Sequence, residues 1–125
     1  MTYENQNNVL KINNRELEFE NEIKEVLEFD GFLVVRTDYY NSNTNENVYG
    51  VNADGKIKWQ IEKLTKLTHK GIEYDGISDP YTAIKKLTNE KAQLVNWDST
   101  HFEIDVYSGK LITNPMKSRI GKRPW

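Results

Sequence analysis

Histidine and aspartate are the first candidates for acid–base chemistry in this chain of 125 residues. His101 follows Asp98 by three positions. A loop between two strands would bring the imidazole and the carboxylate together as an acid–base pair. The simpler interpretation is that His101 is an ordinary polar residue at the start of an exposed strand. We therefore favour a protein without catalytic residues and keep a small enzyme with a carboxylate or His–Asp site as an alternative.

Several other kinds of site lack the residues they need. The chain has no cysteine and only two histidines, so it offers no thiolate nucleophile and no clustered transition-metal ligands. Its seven glycines stand singly rather than in a phosphate-binding loop. Residues 41–47 are rich in oxygen acceptors, but Asp38 and Glu46 supply fewer carboxylates than a tight calcium loop needs. We interpret this segment as a solvated turn and expect no metal and no cofactor.

Aromatic residues beside an arginine are the strongest candidates for binding. Tyr39, Tyr40 and Trp97 lie at the ends of predicted strands, next to two loops at matching places in the two halves of the chain. Tyrosine, tryptophan and arginine dominate the binding energy of protein interfaces. The sequence therefore predicts a protein partner, with a homo-oligomer left open. The predicted partner-binding residues are Arg36, Tyr39, Tyr40, Trp97, Asp98 and His101.

The carboxyl end, residues 117–125, is a basic tail. It carries four positive charges and a terminal aromatic ring, which suit a nucleic-acid backbone and a base. Neutralising four phosphates gives only a modest, salt-sensitive affinity, and the net charge of −2 creates no overall field for nucleic acid or an anionic membrane. A nucleic-acid-associated accessory protein is therefore an alternative function. Its residues would be Lys117, Arg119, Lys122, Arg123 and Trp125.

Alternating apolar and polar residues predict the strands that position these side chains. Asp-Gly at 30–31 and 54–55 and Ser-Gly at 108–109 predict tight turns between them. Residues 16–20 also alternate, as in an additional edge strand, and 22–29 fits a short helix as an alternative to a strand. The predicted strands are residues 23–29, 32–40, 48–52 and 56–61 in the first half and 81–87, 91–97, 101–107 and 110–113 in the second.

Two segments, residues 48–57 and 101–111, look like copies of one hairpin. A repeated unit buries its apolar face against a neighbour of its own kind. We predict a single all-β domain over residues 1–125, with one repeat at about 17–64 and another at about 80–116. Each repeat would be a four-stranded antiparallel meander, and the two would pack as a sandwich or an incomplete propeller-like unit.

The first hairpin, residues 48–59, resembles the signature segment of quinoprotein-type β-propeller repeats. Gly50 takes the small position of that pattern, Asn52 takes the Asp position, and Trp59 follows Gly55 by four. The second hairpin has Thr113 where the tryptophan is expected. The resemblance implies a tryptophan that docks one blade against the next and a small residue that permits close packing. It implies no quinone cofactor, and two blades do not close a propeller.

The amino terminus is polar, without the cationic start and apolar run of a secretory signal. No apolar stretch approaches the 18 or so residues that span a bilayer. We therefore expect a cytoplasmic protein with no membrane partner. The function predicted from the sequence is a non-catalytic protein-binding module of the inhibitor or immunity type.

Overall fold

The computed structural model describes residues 1–40, 42–63, 68–69, 72–73 and 79–117. Within these ranges the chain forms β-strands and no helix, and no helix there is long and apolar enough to cross a membrane. The strands are β1 (Tyr3–Gln6), β2 (Val9–Ile12), β3 (Arg15–Glu18), β4 (Ile23–Phe29), β5 (Phe32–Thr37), β6 (Val48–Asn52), β7 (Ile57–Gln60), β8 (Thr68–His69), β9 (Ile72–Glu73), β10 (Tyr81–Lys86), β11 (Lys91–Asn96), β12 (Thr100–Asp105) and β13 (Met116–Lys117).

Every strand pairs antiparallel with the strand before or after it in the chain. β1–β3 form the N-terminal sheet, β4–β7 the first meander and β10–β13 the second meander, while β8 and β9 pair with each other. The all-β class and the two four-stranded antiparallel meanders predicted from the sequence are therefore confirmed. The helical alternative for residues 22–29 is wrong, because Ile23–Phe29 pairs along β5 as a strand.

The N-terminal sheet was not predicted, apart from the extra strand expected near residues 16–20. Two Asn-Asn pairs make its turns: Asn7, Asn13 and Asn14 have positive φ angles of 55°, 49° and 72°. Asparagine tolerates this conformation better than most residues, and hairpin turns of the primed types require it. The strand between these turns, β2, buries Leu10 and Ile12 completely.

Two cores hold three layers together. One core fills the space between the two meanders and the other lies between the first meander and the N-terminal sheet. Strand β5 serves both, because Val34 faces the first core while Leu33 and Val35 face the second. The first core also includes Phe29, Phe32, Val48, Ile61, Tyr81, Ile84, Ala92, Leu94, Phe102, Ile104 and Val106.

Trp59 joins the two meanders. Its indole Nε1 donates a hydrogen bond to the carbonyl oxygen of Val106 at 2.8 Å. A Cβ atom added at Gly50 or at Gly109 would overlap the indole ring, so the ring lies between β6 and a turn of the second meander. This is the placement that the propeller resemblance leads one to expect for Trp59, while the resemblance itself stays a prediction.

The two meanders share irregularities as well as topology. β4 shifts register between Ile23 and Glu25, and β10 shifts register between Tyr81 and Ala83, each near the start of the meander's first strand. A bulge bends the strand that carries it, and here the register shifts lie at matching places in the two meanders. An internal duplication is consistent with this match and stays a prediction.

The fourth strand predicted at residues 110–113 is wrong. Leu111 makes a single bridge to Ile104, and the edge strand of the second meander is Met116–Lys117, paired with Thr100 and His101. The side-chain hydroxyl of Thr113 instead accepts a hydrogen bond from the backbone N–H of Glu103 at 2.9 Å. Residues 110–113 therefore follow β12 through irregular hydrogen bonds, and regular pairing resumes at Met116.

Candidate functional site

Three aromatic side chains meet at one end of the two meanders, and we call Tyr39, Tyr40 and Trp97 the aromatic corner. The Tyr39 ring packs edge-on against Trp97, with centroids 5.7 Å apart, and stacks on Tyr40 at 6.3 Å. Tyr40 is 74% exposed and Trp97 is 65% exposed. The structure thus places two large aromatic surfaces in solvent, at the corner that the sequence predicted for partner binding.

A rigid turn presents Trp97. The side-chain oxygen of Asn96 accepts hydrogen bonds from the backbone N–H groups of Asp98 and Thr100, both at 2.9 Å. Ser99 adopts a positive φ of 62°. The backbone N–H of Trp97 donates a hydrogen bond to the carbonyl oxygen of Pro80 at 2.8 Å. Asn96 itself is buried. The backbone on both sides of Trp97 is therefore fixed by hydrogen bonds.

A second set of hydrogen bonds holds the two tyrosines. The side-chain amide of Asn21 donates to the carbonyl oxygens of Asp38 and Tyr40, at 3.0 and 3.1 Å. The Asp38 carboxylate accepts the Tyr40 N–H at 3.3 Å, and the Asp38 N–H donates to the carbonyl of Glu22 at 2.7 Å. The chain is thus fastened to the start of the first meander where it leaves β5.

A polar depression of about 390 Å³ adjoins Tyr40. Its lining includes three carboxylates, of which that of Glu22 also pairs with Lys24 at 3.5 Å. The Glu20 carboxylate accepts hydrogen bonds from Ser42 and Asn43 and so anchors the loop that comes after Tyr40 in the chain. The corner therefore joins an aromatic surface to an acidic one. The lining residues are Asn7, Asn8, Glu20, Asn21, Glu22, Asp38 and Tyr40.

The segment interpreted as a solvated turn, residues 41–47, is buried at its end. Asn47 is completely buried, and its side-chain amide donates to the carbonyls of Thr37 at 2.7 Å and Tyr81 at 3.0 Å. Its side-chain oxygen accepts the Tyr81 N–H at 2.8 Å. The prediction is wrong for Asn47 because this side chain supplies hydrogen bonds that both meanders need. Only the pattern of polar residues was visible in the sequence.

Acidic neighbours also affect Tyr49. Burial raises the pKa of its phenol above the usual value, and the negative charges of Glu20 and Glu46 raise it further. Its ring packs against Phe19, with centroids 5.0 Å apart. Tyr49 therefore stays neutral at physiological pH, and it belongs to the packing behind the loop rather than to the exposed surface.

Arg36 does not belong to the aromatic corner. Its side chain is only 11% exposed, and its Nε donates to the carboxylate of Glu25, which lies opposite it across β4 and β5. The same carboxylate accepts the backbone N–H of Ile84 at 3.2 Å. The predicted role of Arg36 at the surface is corrected: its guanidinium, on β5, pairs with Glu25, and Glu25 links β4 to β10, the first strand of the second meander.

The other predicted residues are dispersed. Asp98 is exposed in the turn that carries Trp97, and His101 is half-buried on β12, beside Val95 and Met116 in the pairing of the second meander. Lys117 ends β13, and the remaining tail residues, Arg119, Lys122, Arg123 and Trp125, lie outside the described residues. In the described ranges no group of three or more histidine or acidic side chains is placed to hold a metal ion.

Fold and surface together define a small layered antiparallel β-protein with a rigid, exposed aromatic corner. The chain belongs to a family described as a domain of unknown function (DUF7957), whose model matches residues 1–116. That match includes the N-terminal sheet as well as both meanders. Searches of curated proteins and of solved structures found no match.

Proposed function

We propose that this protein is a non-catalytic protein-binding module that contacts its partner through the aromatic corner. The observation that carries the proposal is the exposure of Tyr40 and Trp97 on backbone that is already held in place. Large aromatic side chains in solvent forgo the free energy of burial, and a partner surface restores it. Truncating a central aromatic anchor of an interface costs about 2 kcal/mol or more.

Rigidity supports this function. Ordering loops and side chains on association opposes binding, and a surface that is ordered beforehand avoids part of that cost. Asn21 and Asn96 supply this order through their side-chain hydrogen bonds to the two loops. An inhibitor or immunity-type protein, which occludes another protein's active surface, needs such a surface and no catalytic group. The cytoplasmic location and the propeller-like repeats of the present protein remain predictions from the sequence.

The test uses the full chain as bait in an extract of the organism that encodes it. A Tyr40→Ser, Trp97→Ser variant removes the corner, and an Ile57→Ser, Leu87→Ser variant removes two exposed apolar side chains elsewhere. We expect wild type and the second variant to retain the same partner and the first variant to lose it at least tenfold. The purified partner then gives the affinities by calorimetry. Equal retention by all three proteins contradicts the proposal.

The alternatives predict different losses in the same assay. An Arg119→Gln, Lys122→Gln, Arg123→Gln, Trp125→Ala variant changes four of the predicted tail residues and leaves residues 1–118 unchanged. If this variant loses a nucleic-acid ligand while the corner variant keeps it, the accessory-protein alternative is favoured. Catalytic turnover of a substrate that disappears in the Asp98→Asn or the His101→Gln variant, while the variant stays folded, would instead favour a small enzyme.

A further inference from the structure

We infer that the aromatic corner receives a cationic segment of its partner, one that carries arginine or lysine side chains; this inference rests on the proposed function. The starting point is the exposed aromatic surface itself. The faces of tyrosine and tryptophan rings carry negative potential and attract guanidinium and ammonium groups. Most of the surface of Tyr40 and of Trp97 is open to solvent.

The molecule already contains one contact of this kind. The ammonium group of Lys86 lies 4.7 Å from the centroid of the Phe29 ring, and the same group donates to the carbonyl of Glu28 at 2.9 Å. That pair combines an aromatic face with a neighbouring oxygen acceptor. The corner has the same two components on a larger scale, with oxygen acceptors beside an aromatic ring and no cation of the described chain lining the depression.

Charge decides which occupant fits. Glu20, Glu22 and Asp38 surround the depression next to Tyr40, and Lys24 offsets one of these charges through its pair with Glu22. A phosphate-bearing or acidic partner would meet repulsion at this surface, whereas a basic one would be steered toward it.

The shape of the surface favours side chains over a folded face. The depression is polar and adjoins one side of Tyr40, while Trp97 lies beyond Tyr39, so cationic groups along one extended segment would reach both rings in turn. Arginine suits this arrangement better than lysine. Its planar guanidinium stacks on a ring and donates to two carboxylate oxygens at once.

The probe is an acetylated and amidated heptapeptide of alternating glycine and arginine, with glutamine in place of arginine as the control peptide. Titration into the ¹⁵N-labelled full chain is followed by NMR at low salt. We expect the arginine peptide to shift the amide signals of Asn21, Asp38 and Tyr40 and the indole signal of Trp97. We expect at least fivefold weaker binding of the glutamine peptide.

Matched variants separate local from overall charge. Glu22→Gln with Asp38→Asn removes two charges beside Tyr40 and keeps the acceptor that caps the Tyr40 N–H. Glu4→Gln with Glu18→Gln removes two charges from the exposed N-terminal sheet. We expect the first variant to bind the arginine peptide at least fivefold more weakly and the second to match wild type within twofold.

Two results would overturn the inference. One is equal weakening by both charge variants, or shifts spread over the N-terminal sheet, which shows attraction to net charge alone. The other is equal binding of both peptides. The bait experiment with the Tyr40→Ser, Trp97→Ser variant separates the proposed function from this inference. If that variant loses the natural partner while the charge variants keep it, the protein-binding function stands and the cationic partner does not.

Discussion

Two turns in this molecule have the same backbone and opposite surroundings. The covered turn, residues 52–56, contacts the N-terminal sheet through Ala53 and Gly55, and the open turn, residues 96–100, carries Trp97 into solvent. In each, an asparagine side-chain oxygen accepts the N–H groups two and four positions ahead, at 3.0 and 3.2 Å in the covered turn and at 2.9 Å for both in the open turn. The fourth residue has a positive φ in both, 77° at Gly55 and 62° at Ser99.

The difference lies in what covers each turn. Asn13 donates a hydrogen bond to the carbonyl of Ala53 at 3.2 Å, and a Cβ atom added at Gly55 would lie 3.2 Å from Arg15 and from Ile12. The open turn has a tryptophan at the position of Ala53. One local scaffold is thus used once to dock a sheet and once to present an aromatic ring. The asparagine side chain holds the backbone in both turns. The residue after it differs, with Ala53 in the covered turn and Trp97 in the open turn.

The largest expected effect concerns a third turn, where Gly109 lies against Trp59 with a φ of +74°. Gly109→Ala adds a Cβ that overlaps the indole and imposes a left-handed conformation, so we expect the free energy of unfolding to fall by about 3 kcal/mol. Urea unfolding measures it. The control is Gly31→Ala, with a φ of +66° and nothing within 4 Å, where we expect a loss of about 1 kcal/mol. Equal losses would show that the indole adapts freely.

Removing the asparagines compares the two turns directly. Asn96 is 2% exposed, so Asn96→Ala takes an acceptor away from two backbone N–H groups in a buried setting, and we expect a loss of about 2–3 kcal/mol. Asn52→Ala removes the same two bonds where the turn meets water, and we expect about 1 kcal/mol. Chemical denaturation of both variants tests the ranking. A larger loss for Asn52→Ala would contradict the ranking by burial of the two asparagine side chains.

The positive-φ residues give effects of opposite sign. Gly55→Ala strains the backbone and brings a methyl group against Arg15 and Ile12, so we expect a loss of about 1–2 kcal/mol. Ser99→Gly relieves the strain of a serine at φ 62°, and we expect a gain of up to about 1 kcal/mol. Thermal unfolding of the two variants decides. Destabilisation by Ser99→Gly would mean that the serine stabilises the open turn in another way.

The smallest expected effect on stability is at the exposed ring. Trp97→Ala removes a side chain that is 65% exposed, and we expect the free energy of unfolding to change by less than about 1 kcal/mol. The same variant is expected to lose most of its partner binding. A loss of stability above about 2 kcal/mol would show that Trp97 holds the structure together and is not free for a partner.

The alternation of residues 81–105 and the Gly-containing turns were enough to predict the two meanders, because strands β11 and β12 bury every second side chain. The N-terminal sheet was missed because its first strand, Tyr3–Gln6, has no fully buried side chain and reads as a polar terminus. Asn-Asn at 7–8 and at 13–14 was the available signal, since asparagine favours hairpin turns that need positive φ. The strand expected at 110–113 is wrong because the residue pattern does not show whether a segment beside a strand pairs with it regularly.

The aromatic corner was predicted in part. Tyr39, Tyr40 and Trp97 were grouped from their positions at strand ends, and the structure brings them into ring contact. Arg36 was grouped with them for the same reason, but sequence position does not reveal which residue faces it across the strand pair. The residue that faces Arg36 is Glu25, and its carboxylate draws the guanidinium inward. Asn47 was missed because a buried asparagine that links two sheets looks like any other asparagine in a polar run.

The sequential order of the strands has a consequence for biosynthesis. Each sheet is built from strands that are consecutive in the chain, and the N-terminal sheet, first meander and second meander follow one another from the amino end. Local pairing of this kind closes only short loops, which favours rapid formation. The N-terminal sheet can therefore pair while the rest is still being translated, and each later sheet finds a prepared apolar surface as it leaves the ribosome.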